Sequence, residues 1–149
     1  MFKKKPKELL IKKRDGAIIP KYMTDGAVAF DICAIEEYTV HSTVVKVHTG
    51  IAVAIPEGYE INVRARSGLS ITYPNYIAIS GGGTIDSDYR GEIIVPVVNN
   101  SHRKKPWVIK YGDRIAQCIV APIERCKLTI VDKLPETKRG TGGFGHTGR

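Results

Sequence analysis

The chain has 149 residues, 42% of them hydrophobic, and carries a formal net charge of +8. That length suits one domain with a core of its own, and no apolar run nears the roughly 20 residues that cross a bilayer, which sets a helical membrane protein aside. Three cysteines, Cys33, Cys118 and Cys126, have no C-x-x-C spacing, which argues against a disulfide framework and a zinc knuckle and leaves reduced, mostly buried thiols as the expectation.

The opening MFKKKPKELLIKKR is basic, and Glu8 and Lys12-Lys13-Arg14 interrupt it before an apolar signal core forms, so a cytoplasmic location is expected. Short β-prone pieces follow, Leu9-Leu10-Ile11, Ala17-Ile18-Ile19 and Val28 to Ile32, cut by Asp15-Gly16, Pro20 and Asp25-Gly26. Val44 to Val47 and Ile51 to Ile55 read as two strands broken at Gly50, with Pro56-Glu57-Gly58 as a tight turn. Alternation is then clean: Tyr59, Ile61, Val63 and Ala65 share one face and Glu60, Asn62, Arg64 and Arg66 the other, as in a half-buried strand. Ser67 to Tyr73 predicts one or two turns of helix before Pro74.

The stretch Gly83 to Glu92 places Asp86 and Asp88 one residue apart beside Tyr89. In an extended strand the two acids share one face, and Ser87 and Tyr89 the other. Taken alone, such a pair of acids is most often a capped turn. Ile93 to Val98 predicts a strand in which Pro96 marks an edge or a bulge. Trp107 to Ile109 and Arg114 to Val120 flank a turn at Tyr111-Gly112-Asp113, and Leu128 to Val131 reads as a last strand. Many short strands with Gly, Pro and Asn turns, and no repeat, predict an all-β sandwich or jelly roll with one short helix.

From Pro135 the chain changes character, with five glycines, one aromatic and several basic or hydroxyl side chains but almost nothing to bury. Residues 1–134 are therefore expected as the β domain and 135–149 as a glycine-rich arm, either disordered or ordering over a phosphate ligand. The positive charge suits a polyanion. The lysines at 3–5, 12–13 and 104–105 lie apart without interleaved aromatics, so nucleic acid is not the expected partner, and a small phosphorylated ligand suits the charge as well. His41, His48, His102 and His146 are scattered, without metal-ligand spacing, and are expected at the surface.

Five segments in order, Ala29 to Ala34, Arg64 to Ser70, Gly83 to Glu92, Tyr111 to Gln117 and Arg139 to Gly148, resemble the trimeric dUTP pyrophosphatases (dUTPases) over nearly the whole chain. The resemblance implies a distorted jelly-roll, β-clip barrel that assembles as a homotrimer. It also implies hydrolysis of dUTP to dUMP and pyrophosphate, which limits uracil in DNA and supplies dUMP for dTMP synthesis. By the same resemblance Asp86 is the catalytic acid that holds and deprotonates the attacking water; an aspartate carboxylate is anionic at neutral pH and accepts a proton without special tuning. Asp88 is a turn or ion-pair acid. Asp31 is implied to orient waters on Mg²⁺, although from its strand alone it reads equally as a buried acid paired to an arginine.

The remaining substrate contacts are also implied by the resemblance. Ser67, Gly68 and Arg66 meet or support the phosphates at the start of the short helix, and Gln117 presents its amide to phosphate oxygens. Tyr89 packs on deoxyribose and leaves no room for a 2′-hydroxyl. Ser80, Gly83 and Ile85 belong to the hairpin that reads uracil through its main chain. In the arm, Arg139 holds the γ-phosphate, Phe144 stacks on uracil, and Gly145, His146 and Thr147 lie beside the ligand, at a site formed between two other copies. One departure stands out: the family's asparagine before the catalytic acid is replaced by Ile79-Ser80-Gly81-Gly82-Gly83, and the loop from Ser67 to Asp86 is about one residue longer than the family's pattern, which loosens the hairpin. Two alternatives remain, a dCTP deaminase of the same fold and a nucleic-acid-binding regulator that keeps the scaffold without turnover.

Overall fold

The computed structural model describes residues 7–72, 76–78, 83–99 and 106–143. One sheet orders β1 (Leu10–Lys13), β5 (Val45–Ala54), β9 (Glu92–Asn99) and β7 (Tyr76–Ala78). A second orders β2 (Lys21–Tyr22), β3 (Phe30–Cys33), β11 (Arg114–Pro122), β6 (Tyr59–Arg64) and β8 (Gly83–Ile85). β4 (Tyr38–Val40) and β10 (Trp107–Ile109) form a two-stranded third, and α1 (Ser67–Thr72) follows β6. Every ladder among the described residues is antiparallel. None of their helices is long and apolar enough to cross a membrane.

The core lies between the sheets. Val47, Val95 and Val97 of the first meet Ile32, Ile61, Ile115 and Cys118 of the second, with Val40 and Ile109 closing one end, all fully buried. Each isoleucine or valine so buried contributes about 1.5–3 kcal/mol, and it is the two-residue period of the strands that directs these side chains inward. β6 shows this directly: Ile61 and Val63 are buried while Arg64 is exposed. The all-β, jelly-roll-like architecture with one short helix matches the expectation.

Four local expectations are corrected. The two strands around Gly50 are one strand, β5, because a bulge absorbs the break: the register to β9 shifts between His48 and Ala52. Gly50 sits there at φ +66°, and a Cβ on it would lie 2.7 Å from that of Ala17, so both conformation and space require glycine. Ala17 to Ile19 forms no strand; Ala17 is buried under that bulge, and pairing resumes after Pro20 as β2. β9 lies between β5 and β7 and pairs Pro96 with Lys46 of β5, so the strand that carries Pro96 is not a sheet edge among the described residues.

The fourth correction concerns Leu128 to Val131, which is not a strand within the chain. Leu128, Ile130 and Leu134 are 93%, 100% and 77% exposed, since no described strand of the same copy covers them. β4, in turn, was not anticipated, because Tyr38-Thr39-Val40 is too short to show a period.

Candidate active site

β8 pairs with β6 through Ile61↔Ile85, Asn62↔Thr84 and Val63↔Gly83, then leaves the second sheet. The chain turns over residues 86 to 89 and enters the first sheet as β9. The Tyr89 N–H donates to the Asp86 carbonyl at 3.1 Å. Arg90 Nη1 donates to the Ser87 and Tyr89 carbonyls at 2.7 and 3.0 Å, clamping the turn. Extended geometry with alternating faces therefore does not hold here. The turn has the opposite consequence: Asp86 and Tyr89 line the same cavity.

That cavity, of about 310 Å³, lies at the corner between the sheets, where Gly83, Thr84, Ile85, Glu92, Ile94 and Pro96 also line it. Its volume is at the small end of the range for ligand sites. Among its described lining residues the charged ones are two carboxylates, Asp86 and Glu92, and none is a cation.

Glu92 is already committed. One carboxylate oxygen accepts the Gly50 N–H at 2.7 Å, and the other lies 3.0 Å from His48 Nδ1, which must carry the proton because a carboxylate only accepts. Burial alone would raise the Glu92 carboxyl, but the bonds from His48 and Gly50 outweigh it, helped by the charges of His48 and Arg14, and it sits below its ordinary 4.5. A depressed carboxyl contributes stability above its unfolded pKa and loses it as pH falls through the folded one. The melting temperature of the wild type is thus expected to exceed that of Glu92→Gln at neutral pH, with the gap closing as pH drops below 4.5, in a thermal-denaturation series. An unchanging gap would show that the ionised carboxylate contributes nothing. His48, expected at the surface, is half-buried because the β5 bulge turns it toward this acid.

A second group forms around Asp31. β3 and β11 pair Asp31 with Gln117, and β11 and β6 pair Gln117 with Arg64. The Asp31 carboxylate, 12% exposed, lies 3.2 Å from Arg66 Nε and 3.0 Å from Arg114 Nη1. Arg66 Nη1 also donates to the Arg114 carbonyl at 3.1 Å, which ties the end of β6 to the start of β11. Of the two readings of Asp31 left open by the sequence, the structure shows the paired acid. Gln117 Nε2 donates to the Ala65 carbonyl at 2.8 Å. Ser67 and Gly68 are exposed in the first turn of α1, where the Ser70 N–H and hydroxyl both donate to the Arg66 carbonyl at 3.1 Å. The charge-assisted bond to Asp31 and these neutral ones hold Arg66 in place.

Burial, then the nearby Asp31 charge, raises the Cys33 thiol, and the same two causes push the buried Cys118 up to about 12. Both stay protonated at neutral pH. Cys126, expected with them in the interior, is exposed because it lies on the uncovered segment after β11. No group of three or more His, Cys, Asp or Glu that could hold a metal occurs among the described residues.

The expected site residues thus fall into two sets. Gly83, Ile85, Asp86 and Tyr89 share the cavity, while Asp31, Arg66 and Gln117, with Ser67 and Gly68 next in sequence, do not line it. Arg139 stands apart in an exposed turn, with Nε donating to the Gly142 carbonyl at 2.8 Å. Ser80, Phe144, Gly145, His146 and Thr147 lie outside the described residues. Sequence reading missed Glu92 as a strut and Arg114 as a partner of Asp31. The period-2 pairing of two strands of opposite charge was the signal for the second.

The dUTPase family model matches residues 15–148. A deoxyuridine 5'-triphosphate nucleotidohydrolase of Desulfotalea psychrophila is 44% identical over 133 residues, covering 87% of each chain. That of Wolinella succinogenes is 42% identical over 147 residues, covering 98% of this chain and 97% of the relative. In fold, a mutant dUTPase of Staphylococcus bacteriophage 80alpha with dUpNHpp superposes at TM-score 0.85 and 23% identity, over 97% of this chain and 100% of that one. A mutant dUTPase of S. aureus phage phi11, with TM-score 0.76 and 24% identity over 85% of this chain and 98% of that one, coordinates a structural Mg(II) ion. These matches and the all-β fold define a nucleotide hydrolase: the chain belongs to the dUTPase family. It is a dUTP diphosphatase, converting dUTP to dUMP.

Proposed function

We propose that Asp86 holds and deprotonates the water that attacks the α-phosphorus of dUTP, in a site assembled from more than one copy of the chain. The observation that carries this reading is the charge of the cavity: its described lining offers an acid and an aromatic, but no cation for a tetra-anionic substrate. Cationic side chains for the phosphates therefore come from outside that lining, and Arg66, held beside Asp31, and Arg139, in an exposed turn, are the ones assigned to the task. Supplied by neighbouring copies of a homotrimer, they complete the pocket.

The apolar segment after β11 supports the same assembly. Leaving Leu128, Ile130 and Leu134 in water forfeits about 1.5–3 kcal/mol for each, which a neighbouring copy would recover by covering them. In this reading residues 1–134 are the β domain and 135–149 the arm that closes over bound nucleotide. In this reading the setting is cytoplasmic, where thiols stay reduced.

In the assembled site the Tyr89 ring is the platform for deoxyribose, and its surface excludes a 2′-hydroxyl by contact. Ser67, Gly68 and Gln117 offer hydroxyl, N–H and amide groups to the phosphates, and Gly83 and Ile85, with Ser80, frame uracil through the main chain. Phe144, with Gly145, His146 and Thr147, covers base and phosphates. Mg²⁺ is the cofactor of this reading. When bound, it neutralises the triphosphate and steadies the leaving pyrophosphate. Asp31 keeps lone pairs beyond those given to two arginines, so it fits a contact through water rather than direct ligation, in accord with an ion carried mainly by phosphate oxygens.

Pyrophosphate release from dUTP, dTTP, dCTP and UTP with magnesium tests the reading. dUTP is expected to be strongly preferred, with isotopic oxygen from labelled water appearing in dUMP. Label in pyrophosphate would place the attack on another phosphorus, and ammonia from dCTP would favour the deaminase alternative.

A further inference from the structure

We propose that Gly91 fixes the pose of the Tyr89 ring and is thereby a specificity-determining position against ribonucleotides; this rests on the reading of Tyr89 as the sugar platform. The backbone at residue 91 gives no reason for glycine. The described glycines with positive φ are Gly16, Gly50, Gly58, Gly112 and Gly140, and Gly91 is not one of them. Its surroundings give a specific reason. A Cβ at residue 91 would fall inside contact distance of the Tyr89 hydroxyl oxygen and Cζ, and 2.9 Å from Cε2. All three atoms belong to one ring, so the missing side chain is the floor on which that ring lies.

The ring is also held at both ends. The Tyr89 N–H closes the turn onto the Asp86 carbonyl at 3.1 Å, and the Tyr89 hydroxyl reaches across residue 91 to donate to the Glu92 carbonyl at 3.0 Å. Glu92 is anchored in turn by Gly50 and His48. Tyr89 and Asp86 line the same cavity, so ring height and carboxylate position are set by one turn. Any side chain at 91 displaces the ring tip, the movable end of Tyr89, and breaks its bond to Glu92. The ring then no longer lies where sugar contact distinguishes hydrogen from hydroxyl at the 2′ position.

Kinetics on dUTP and UTP with Gly91→Ala, Tyr89→Ala and the double variant test this. Gly91→Ala is expected to lower kcat/KM for dUTP roughly tenfold or more and to narrow the preference for dUTP over UTP. Tyr89→Ala narrows the preference by itself, and adding Gly91→Ala to it changes nothing further, since the clashing ring is gone. If Gly91→Ala fails to fold, recovery of folding in the double variant supports the clash, and no recovery overturns it. Preference retained in Gly91→Ala but lost in Tyr89→Ala overturns the role of Gly91 alone. Preference retained in Tyr89→Ala overturns the platform and this inference with it, and an undiminished penalty from Gly91→Ala in the double variant would mark a general backbone role and overturn the proposal.

Discussion

Asp86→Asn is expected to bind dUTP with close to native affinity while kcat falls by about 10²- to 10⁴-fold. Asparagine has the same shape and keeps one accepting oxygen, and the bond that closes the turn runs from the Tyr89 N–H to the main-chain carbonyl of residue 86, so the turn is untouched. What it lacks is the ability to accept a proton from water. No other acid in the cavity can take over, because both carboxylate oxygens of Glu92 are engaged by Gly50 and His48. Calorimetric titration with a non-hydrolysable analogue, beside pyrophosphate release, separates the two quantities. Near-native turnover would remove Asp86 from the chemistry.

Removal of residues 138–149 is expected to leave a folded assembly whose kcat/KM for dUTP is lowered by about 10²-fold or more. None of the described residues from Pro135 onward belongs to the buried core, and the described bonds of the Arg139 turn are local: Gly140 N–H to Thr137 and Gly142 N–H to Arg139 at 3.1 Å each, and Arg139 Nε to the Gly142 carbonyl at 2.8 Å. Folding therefore does not depend on the arm. Catalysis is expected to, because in the proposed reading Arg139 supplies a cation that the described lining of the cavity lacks and Phe144 is the assigned stacking face. Thermal denaturation and steady-state kinetics on the shortened chain check both halves, and unchanged kinetics would make the arm a tail without function.

How legible these features were depends on how local their causes are. The alternation in β6 could be read directly because one face of that strand is buried along its length, and α1 because an apolar, polar-started segment ends before Pro74. The bulge at Gly50 could not, since it depends on Ala17 lying beneath it, 33 positions away in sequence by subtraction of 17 from 50. Asp31 reads two ways until Arg114, 83 residues on, comes to lie against it. Segment Leu128 to Val131 carries the apolar pattern of a strand, but a pattern states that a partner is needed and not which copy provides it. The turn at Asp86 hid for a different reason: a chain crossing from one sheet to the other at a corner obeys neither strand's period, and the proposed chemistry sits at that corner.

The most direct test of a pocket shared between copies is complementation. Asp86→Asn retains the arm and lacks the acid, while the chain ending at residue 137 retains the acid and lacks the arm; each alone is expected to be nearly inactive. Unfolded together and refolded as mixed trimers in equal amounts, they should regain up to about a quarter of wild-type activity, because in a cyclic assembly some pockets then receive the acid from one parent and the arm from the other. No recovery from trimers verified to be mixed would mean that acid and arm act within a single copy, contrary to this account.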